Sequence, residues 1–217
     1  MSVQFVNLHT HHQLSDENTI SIVNQYPNEF DKNIKNYSVG IHPWHLEMNS
    51  LASDLEIIEK SCKNNAMLAI GECGLDKRIE QPSENQIIVF RNQLELAKKH
   101  NKPVIIHCVG AFQELIALKK ELKLEIPMVI HGFSKGLALA NQLIQQGFYL
   151  SFGKYLIQNP NLKEVFKSVP NDRIFLETDL LDLEILDIYK LGSTYKEIDL
   201  LDLQNIIKNN FTKVFKQ

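Results

Sequence analysis

The sequence predicts an α/β protein of the TIM type, a (β/α)8 barrel shortened around its second β/α unit. Three observations lead there. Short apolar runs alternate with helix-period stretches, the runs number eight, and metal-ligand side chains recur where the runs end. Alternating strand and helix patterns favour a parallel sheet with right-handed crossovers. In such a barrel every strand opens its C-terminal end onto one face, which carries the active site. The 217 residues are read as one domain, 1–217, somewhat under the about 250 residues usual for the fold.

The expected strands are 4–9, 19–24, 37–42, 67–71, 103–107, 128–131, 148–152 and 173–177. Many are nearly continuous in Val, Ile, Leu and Phe, as strands covered on both faces should be. Between them the apolar residues recur with helical period. Leu51, Leu55, Ile58 and Cys62 share one face, as do Ile87, Phe90, Leu94 and Ala97. Gly147 follows Leu143 and Ile144 and reads as a helix C-cap. Leu200, Leu203, Ile207, Phe211 and Val214 form the face of a closing helix. The second unit is the weakest, because the short spacing from first to third strand leaves room only for short or missing helices.

Composition removes several function classes. Lys plus Arg is 23 and Asp plus Glu is 26, a net charge of −3, so bulk charge does not draw this chain to nucleic acid. A polyanion must be held locally. The three cysteines, Cys62, Cys73 and Cys108, are odd in number and lack CxxC spacing, which argues against a disulfide framework or a thiolate zinc site. No apolar run reaches the length of a membrane span, and the first residues lack the basic-then-apolar order of a signal peptide. A cytoplasmic protein with no membrane contact and no obligate protein partner is the expectation.

The chemistry lies in where ligand-type residues fall. His9 and His11 close the first strand, Glu72 the fourth, His107 the fifth and His131 the sixth; Asp179 follows the eighth. Side chains two apart on a strand point the same way, so His9 and His11 can reach one cation. Four imidazoles and two carboxylates exceed the needs of one tetrahedral ion. They suit two divalent ions about 3.5–4 Å apart that share a carboxylate. Nitrogen and oxygen donors together are compatible with zinc, manganese or magnesium. A lone histidine at a strand end is more often structural, and Asp179 alone would read as a helix N-cap. Six such residues at the same end of five strands carry the metal reading.

Other residues divide between function and structure. His42 in GIHPWH either supports the site or orients its loop through Pro43. His45 leans to structure. Trp44 reads as core packing rather than a lid. Glu177 shares the parity of Asp179 and either hydrogen-bonds the site or forms a buried ion pair. Lys77, Arg78, Lys135 and Lys154 follow strand ends and could hold flanking phosphates, although such residues are more often solvated loop charges. Cys73 and Cys108 each follow a proposed ligand, so alternation turns them away as buried apolar residues rather than nucleophiles. His12 and His100 read as structural.

Together the motifs NLHTH, GIHPWH, AIGECGLD, KPVIIHC, HGFSKG, YLSFG and FLETD resemble the TatD-type metal-dependent deoxyribonuclease family over nearly the whole chain. The resemblance implies a barrel, a divalent-metal site and hydrolysis of phosphodiester bonds in DNA, with Asp179 as general base and Glu72 as the shared carboxylate. The chain departs from the family pattern at Asn7, where Asp is usual beside the first histidine pair, and also at Lys77, Val109 and Leu180-Leu181. Another hydrolase of the same barrel would cleave an amide, lactone or phosphomonoester. A non-catalytic binding protein would be marked by a lost ligand, and every ligand position is filled.

Overall fold

A computed structural model of the chain describes residues 4–13 and 16–215. In chain order it runs β1 (Phe5–Thr10), β2 (Thr19–Gln25), β3 (Tyr37–Val39), α1 (Leu51–Ser61), β4 (Met67–Asp76), α2 (Ser83–Lys99), β5 (Val104–Val109) and α3 (Phe112–Glu121). Then follow β6 (Met128–Ile130), α4 (Leu137–Gln145), β7 (Tyr149–Phe152), α5 (Lys154–Gln158), α6 (Leu162–Ser168), β8 (Ile174–Leu176), α7 (Ile185–Lys196) and α8 (Leu200–Phe215). The strands lie in one sheet in sequence order, β1 to β8. Thr10, the last residue of β1, and Asp179, just beyond β8, add an isolated parallel bridge. The class is the expected TIM-type barrel. The expected shortening is present: among the described residues no α-helix follows β1 or β2, and a single 3-10 turn, Pro27–Glu29, precedes β3. No helix of the described residues is long and apolar enough to cross a membrane.

The chain divides into two compact units, Met1–Val23 with Ile130–Gln217, and Asn24–Val129. In the second of these, β4 is buried along all ten of its residues. It runs to Asp76, five residues beyond the expected end at Gly71. Glycine makes this possible. Gly74 has φ +150°, and a Cβ there would lie 1.9 Å from the carbonyl oxygen of His107 on β5. The neighbour is backbone and cannot swing aside. Gly74→Ala is therefore expected to destabilise the protein by at least about 2 kcal/mol, read as a lowered midpoint in urea; an unchanged midpoint would contradict the close packing described.

Helix α2 buries Val89, Phe90, Leu94 and Ala97, nearly the face expected from its period. Two glutamines sit on the same side, seven residues apart. Gln93 Oε1 accepts from the Ile41 N–H at 2.7 Å while its Nε2 donates to the Ile41 carbonyl at 3.2 Å. Gln86 treats Asp76 the same way, at 2.8 and 3.1 Å. Buried peptide groups beyond the regular ladder need such partners. Each amide therefore fixes a backbone segment next to a candidate site residue.

In the other unit, Val6 and Leu8 of β1 are fully buried, and α8 packs on β1 and β8 through Leu203, Ile207, Phe211 and Val214. Full burial of each such side chain is worth about 1.5–3 kcal/mol. The Tyr189 hydroxyl from α7 accepts from the Val6 N–H and donates to the Val6 carbonyl, each at 3.1 Å. It thereby gives both buried peptide groups of Val6 a partner.

Candidate metal centre

In the unit that holds β1, β7 and β8, alternation along β1 turns Asn7 and His9 inward, both fully buried. The His9 ring lies 4.5 Å from that of His131 and 5.0 Å from that of His11, centroid to centroid. Asp179 Oδ1 lies 3.6 Å from His9 Nε2 and 3.5 Å from His11 Nε2. Backbone bonds hold it there: its N–H donates to the His9 carbonyl at 2.9 Å, and the His11 N–H donates to the Asp179 carbonyl at 3.2 Å. Its φ of +55° is a left-handed conformation that Asp and Asn tolerate better than most residues.

Asn7 contacts the segment leading to Asp179. Its Nδ2 donates to Thr178 Oγ1 at 2.8 Å, and its Oδ1 accepts from the Thr178 N–H at 3.0 Å. Glu177 is buried with Oε1 accepting from the Gly132 N–H at 2.7 Å and lying 3.3 Å from His131 Nδ1. Burial pushes this carboxyl up, but hydrogen bonding to His131 and the nearby His131 and His9 imidazoles outweigh it and hold Glu177 below its ordinary value.

The unit carrying β3 to β5 contains the second cluster. Glu72 is buried within β4, and its backbone N–H donates to Asn24 Oδ1 at 2.6 Å. Its Oε1 lies 3.1 Å from His42 Nε2 and 3.0 Å from His107 Nδ1. The two imidazole rings are 4.4 Å apart. His42 makes a contact on each side of its ring. Its Nδ1 accepts the Trp44 N–H at 3.1 Å, which orders the loop, and its other nitrogen faces Glu72.

Sequence reasoning missed Asp76. This buried carboxylate lies 3.0 Å from His107 Nε2 and also receives the Trp44 indole N–H at 3.0 Å and the Arg78 guanidinium. Burial pushes Asp76 up, yet the bonds from Arg78, His107 and Trp44 prevail and hold it well below the usual carboxylate range. The signal was present. Glu72 and Asp76 share strand parity, which becomes visible once β4 extends past Gly71.

The core expectation for Trp44 is corrected. The residue is 57% exposed, because its hydrogen bond to Asp76 and the 3-10 turn Pro43–His45 hold it at the surface. Lys77 is paired with Glu114, and Lys135 and Lys154 are exposed in and after their loops. His100 pairs with Glu59, and Cys62, Cys73 and Cys108 are buried free thiols, as their structural readings anticipated. Burial raises all three thiols, Cys108 to about 12, so none is poised as a nucleophile.

The donor atoms suit divalent ions. Ligand atoms bound at about 2.0–2.2 Å around one tetrahedral ion lie roughly 3.5 Å from each other. Each cluster, His9 with His131 and Asp179, and His42 with Glu72 and His107, offers three ligand atoms within 4.8 Å of one another. The closest pairs, at 3.0 to 3.6 Å, match the spacing. Each cluster also carries the carboxylate that metal-binding histidines generally need on their second nitrogen. Asp76 takes that place on His107 and Glu177 on His131. The second oxygen of Glu177 is buried on the side of Ser151.

A family model described as TatD related DNase matches residues 3–216. The chain is 36% identical over 146 residues to the uncharacterized metal-dependent hydrolase YabD of Bacillus subtilis, a match covering 65% of this chain and 57% of YabD. It is 31% identical over 148 residues to the 3'-5' ssDNA/RNA exonuclease TatD of Erwinia amylovora, covering 65% of this chain and 56% of that protein. The chain thus spans little more than half the length of these relatives. The crystal structure of YjjV, a TatD homologue of Escherichia coli, superposes with a TM-score of 0.86 at 22% identity, over 100% of both chains.

Proposed function

The chain belongs to the TatD related DNase family, and on that premise we propose that it is a divalent-metal-dependent hydrolase of phosphodiester bonds in DNA. The observation that carries this reading is the pair of donor clusters, each with a carboxylate bonded to one of its histidines. In this reading His9, His11, His107, His131, Glu72 and Asp179 would hold two divalent ions, Zn, Mn or Mg, with Glu72 as the shared carboxylate. His42 joins the set as a neighbour of Glu72.

Bound divalent ions supply the positive charge that acidifies water and offsets the anionic phosphate. The chain's own residues do the rest. Asp179 accepts the proton at a carboxylate oxygen as general base. Glu177 and Asp76 orient His131 and His107 and set which ring nitrogen carries the proton. Asn7 holds Thr178 and so keeps the Asp179 backbone in register. Arg78, anchored on Asp76, offers a cation for a flanking phosphate; Lys135 offers another. Lys77, engaged with Glu114, must first give up that partner.

The test is a substrate panel with the metal-loaded protein: single- and double-stranded oligonucleotides, a phosphomonoester, a lactone and an amide, each with and without chelator. Chelator-sensitive oligonucleotide cleavage is the expected result. Turnover of the phosphomonoester, lactone or amide alone would keep the metal hydrolase and move its substrate. No turnover of any substrate by protein holding metal would favour a binding role.

A further inference from the structure

The mechanism leaves one conspicuous residue unused. Trp44 keeps 57% of its surface exposed, although a tryptophan gains from burial more than most side chains do. It is nevertheless not loose. Its indole N–H is bonded to the buried Asp76 at 3.0 Å, and its backbone N–H is bonded to His42 Nδ1 at 3.1 Å. Its ring lies 5.3 Å from that of His42 and 6.0 Å from that of His107. The exposed aromatic surface is thus fixed directly beside the second donor cluster.

Its surroundings fit one kind of ligand. The next residue, His45, is exposed and meets the Tyr26 ring edge-on at 5.0 Å, which extends the aromatic surface. The Arg78 side chain, 61% exposed, grips the same Asp76 carboxylate. A fixed aromatic ring with a guanidinium close by is the combination by which proteins hold unpaired nucleic-acid strands, with bases stacked on rings and phosphates met by cations. A pre-ordered ring also loses little side-chain freedom when a ligand covers it.

Resting on the nuclease reading above, we propose that Trp44 is the stacking platform for an unpaired nucleobase next to the scissile phosphate. Stacking on a π-face tolerates every base, so the platform favours single strands without selecting sequence. It also gives a chain of net charge −3 a means of recognition that does not rest on bulk charge.

Trp44 is the single tryptophan of the chain, so the protein's indole fluorescence reports this one position. Metal-loaded protein is mixed in a stopped-flow cell with a deoxyadenylate trinucleotide, or with an abasic trimer of equal charge, and the quench is read before cleavage. The nucleotide is expected to quench saturably and to bind on the order of tenfold more tightly than the abasic trimer. With a labelled trinucleotide followed by anisotropy, Trp44→Ala should weaken binding by a similar factor and Trp44→Phe, which keeps a ring, by much less. Equal quenching by both trimers, or unchanged binding by Trp44→Ala, would overturn the platform and leave the nuclease reading standing wherever the wild type still cleaves. Wild-type protein that neither binds nor cleaves the trinucleotide would remove both.

Discussion

Asp179→Asn is expected to lower the turnover of oligonucleotide cleavage by about 10²- to 10⁴-fold while the protein stays folded. The structure explains both halves. Asparagine keeps an oxygen near His9 and His11 and tolerates the +55° backbone angle that Asp179 adopts. The backbone bonds that tie this residue to His9 and His11 do not involve its side chain. What the amide lacks is a proton-accepting carboxylate at neutral pH. If the carboxylate serves as base, excess metal restores occupancy and leaves the rate low. If it serves only as ligand, excess metal restores the rate as well. Metal occupancy and turnover, measured together across a metal titration, separate the two.

Glu72→Gln is the second large effect. Its Oε1 lies 3.0 to 3.1 Å from nitrogens of both His42 and His107, and it is the carboxylate grouped with those histidines as a candidate ligand. The amide is neutral, and its nitrogen is a donor rather than a ligand. Bound metal should fall from two equivalents per chain to one or fewer, and activity should fall by more than about 100-fold, beyond the 10–100-fold usual for residues that merely support ligands. The Asn24 bond survives, because it is made to the Glu72 backbone, so the midpoint of urea unfolding of the metal-free protein should change little. Two equivalents retained by Glu72→Gln would contradict its role as the shared carboxylate.

Much of this was legible in the sequence because barrel strands carry a strong signal. Buried parallel strands read as apolar runs, and His9, Glu72, His107 and His131 stand at or just past the expected ends of four of them. The least legible part was β4. Gly71 and Gly74 look like strand terminators in one dimension, yet they allow the backbone approach that continues the strand along β5. Cutting the strand at Gly71 hid Asp76, although its parity with Glu72 was in view. Trp44 was misjudged for a related reason. An aromatic residue is assigned to the core by default, and only the buried partner of its N–H reveals that it is held outward. The paired amides of Gln86 and Gln93 were illegible as contacts, since each is defined by backbone groups distant in sequence. Asn7, a departure from the pattern the resemblance led one to expect, is bonded on both sides of its amide. Its amide supplies a donor and an acceptor to Thr178, so the segment before Asp179 is anchored.

The central claim is that two ions are held by His9, His11, Glu72, His107, His131 and Asp179. Anomalous diffraction from crystals grown with excess manganese tests it most directly. The account predicts two peaks about 3.5–4 Å apart, with Glu72 contacting both. One peak at saturating metal, or peaks coordinated without Glu72, would contradict it.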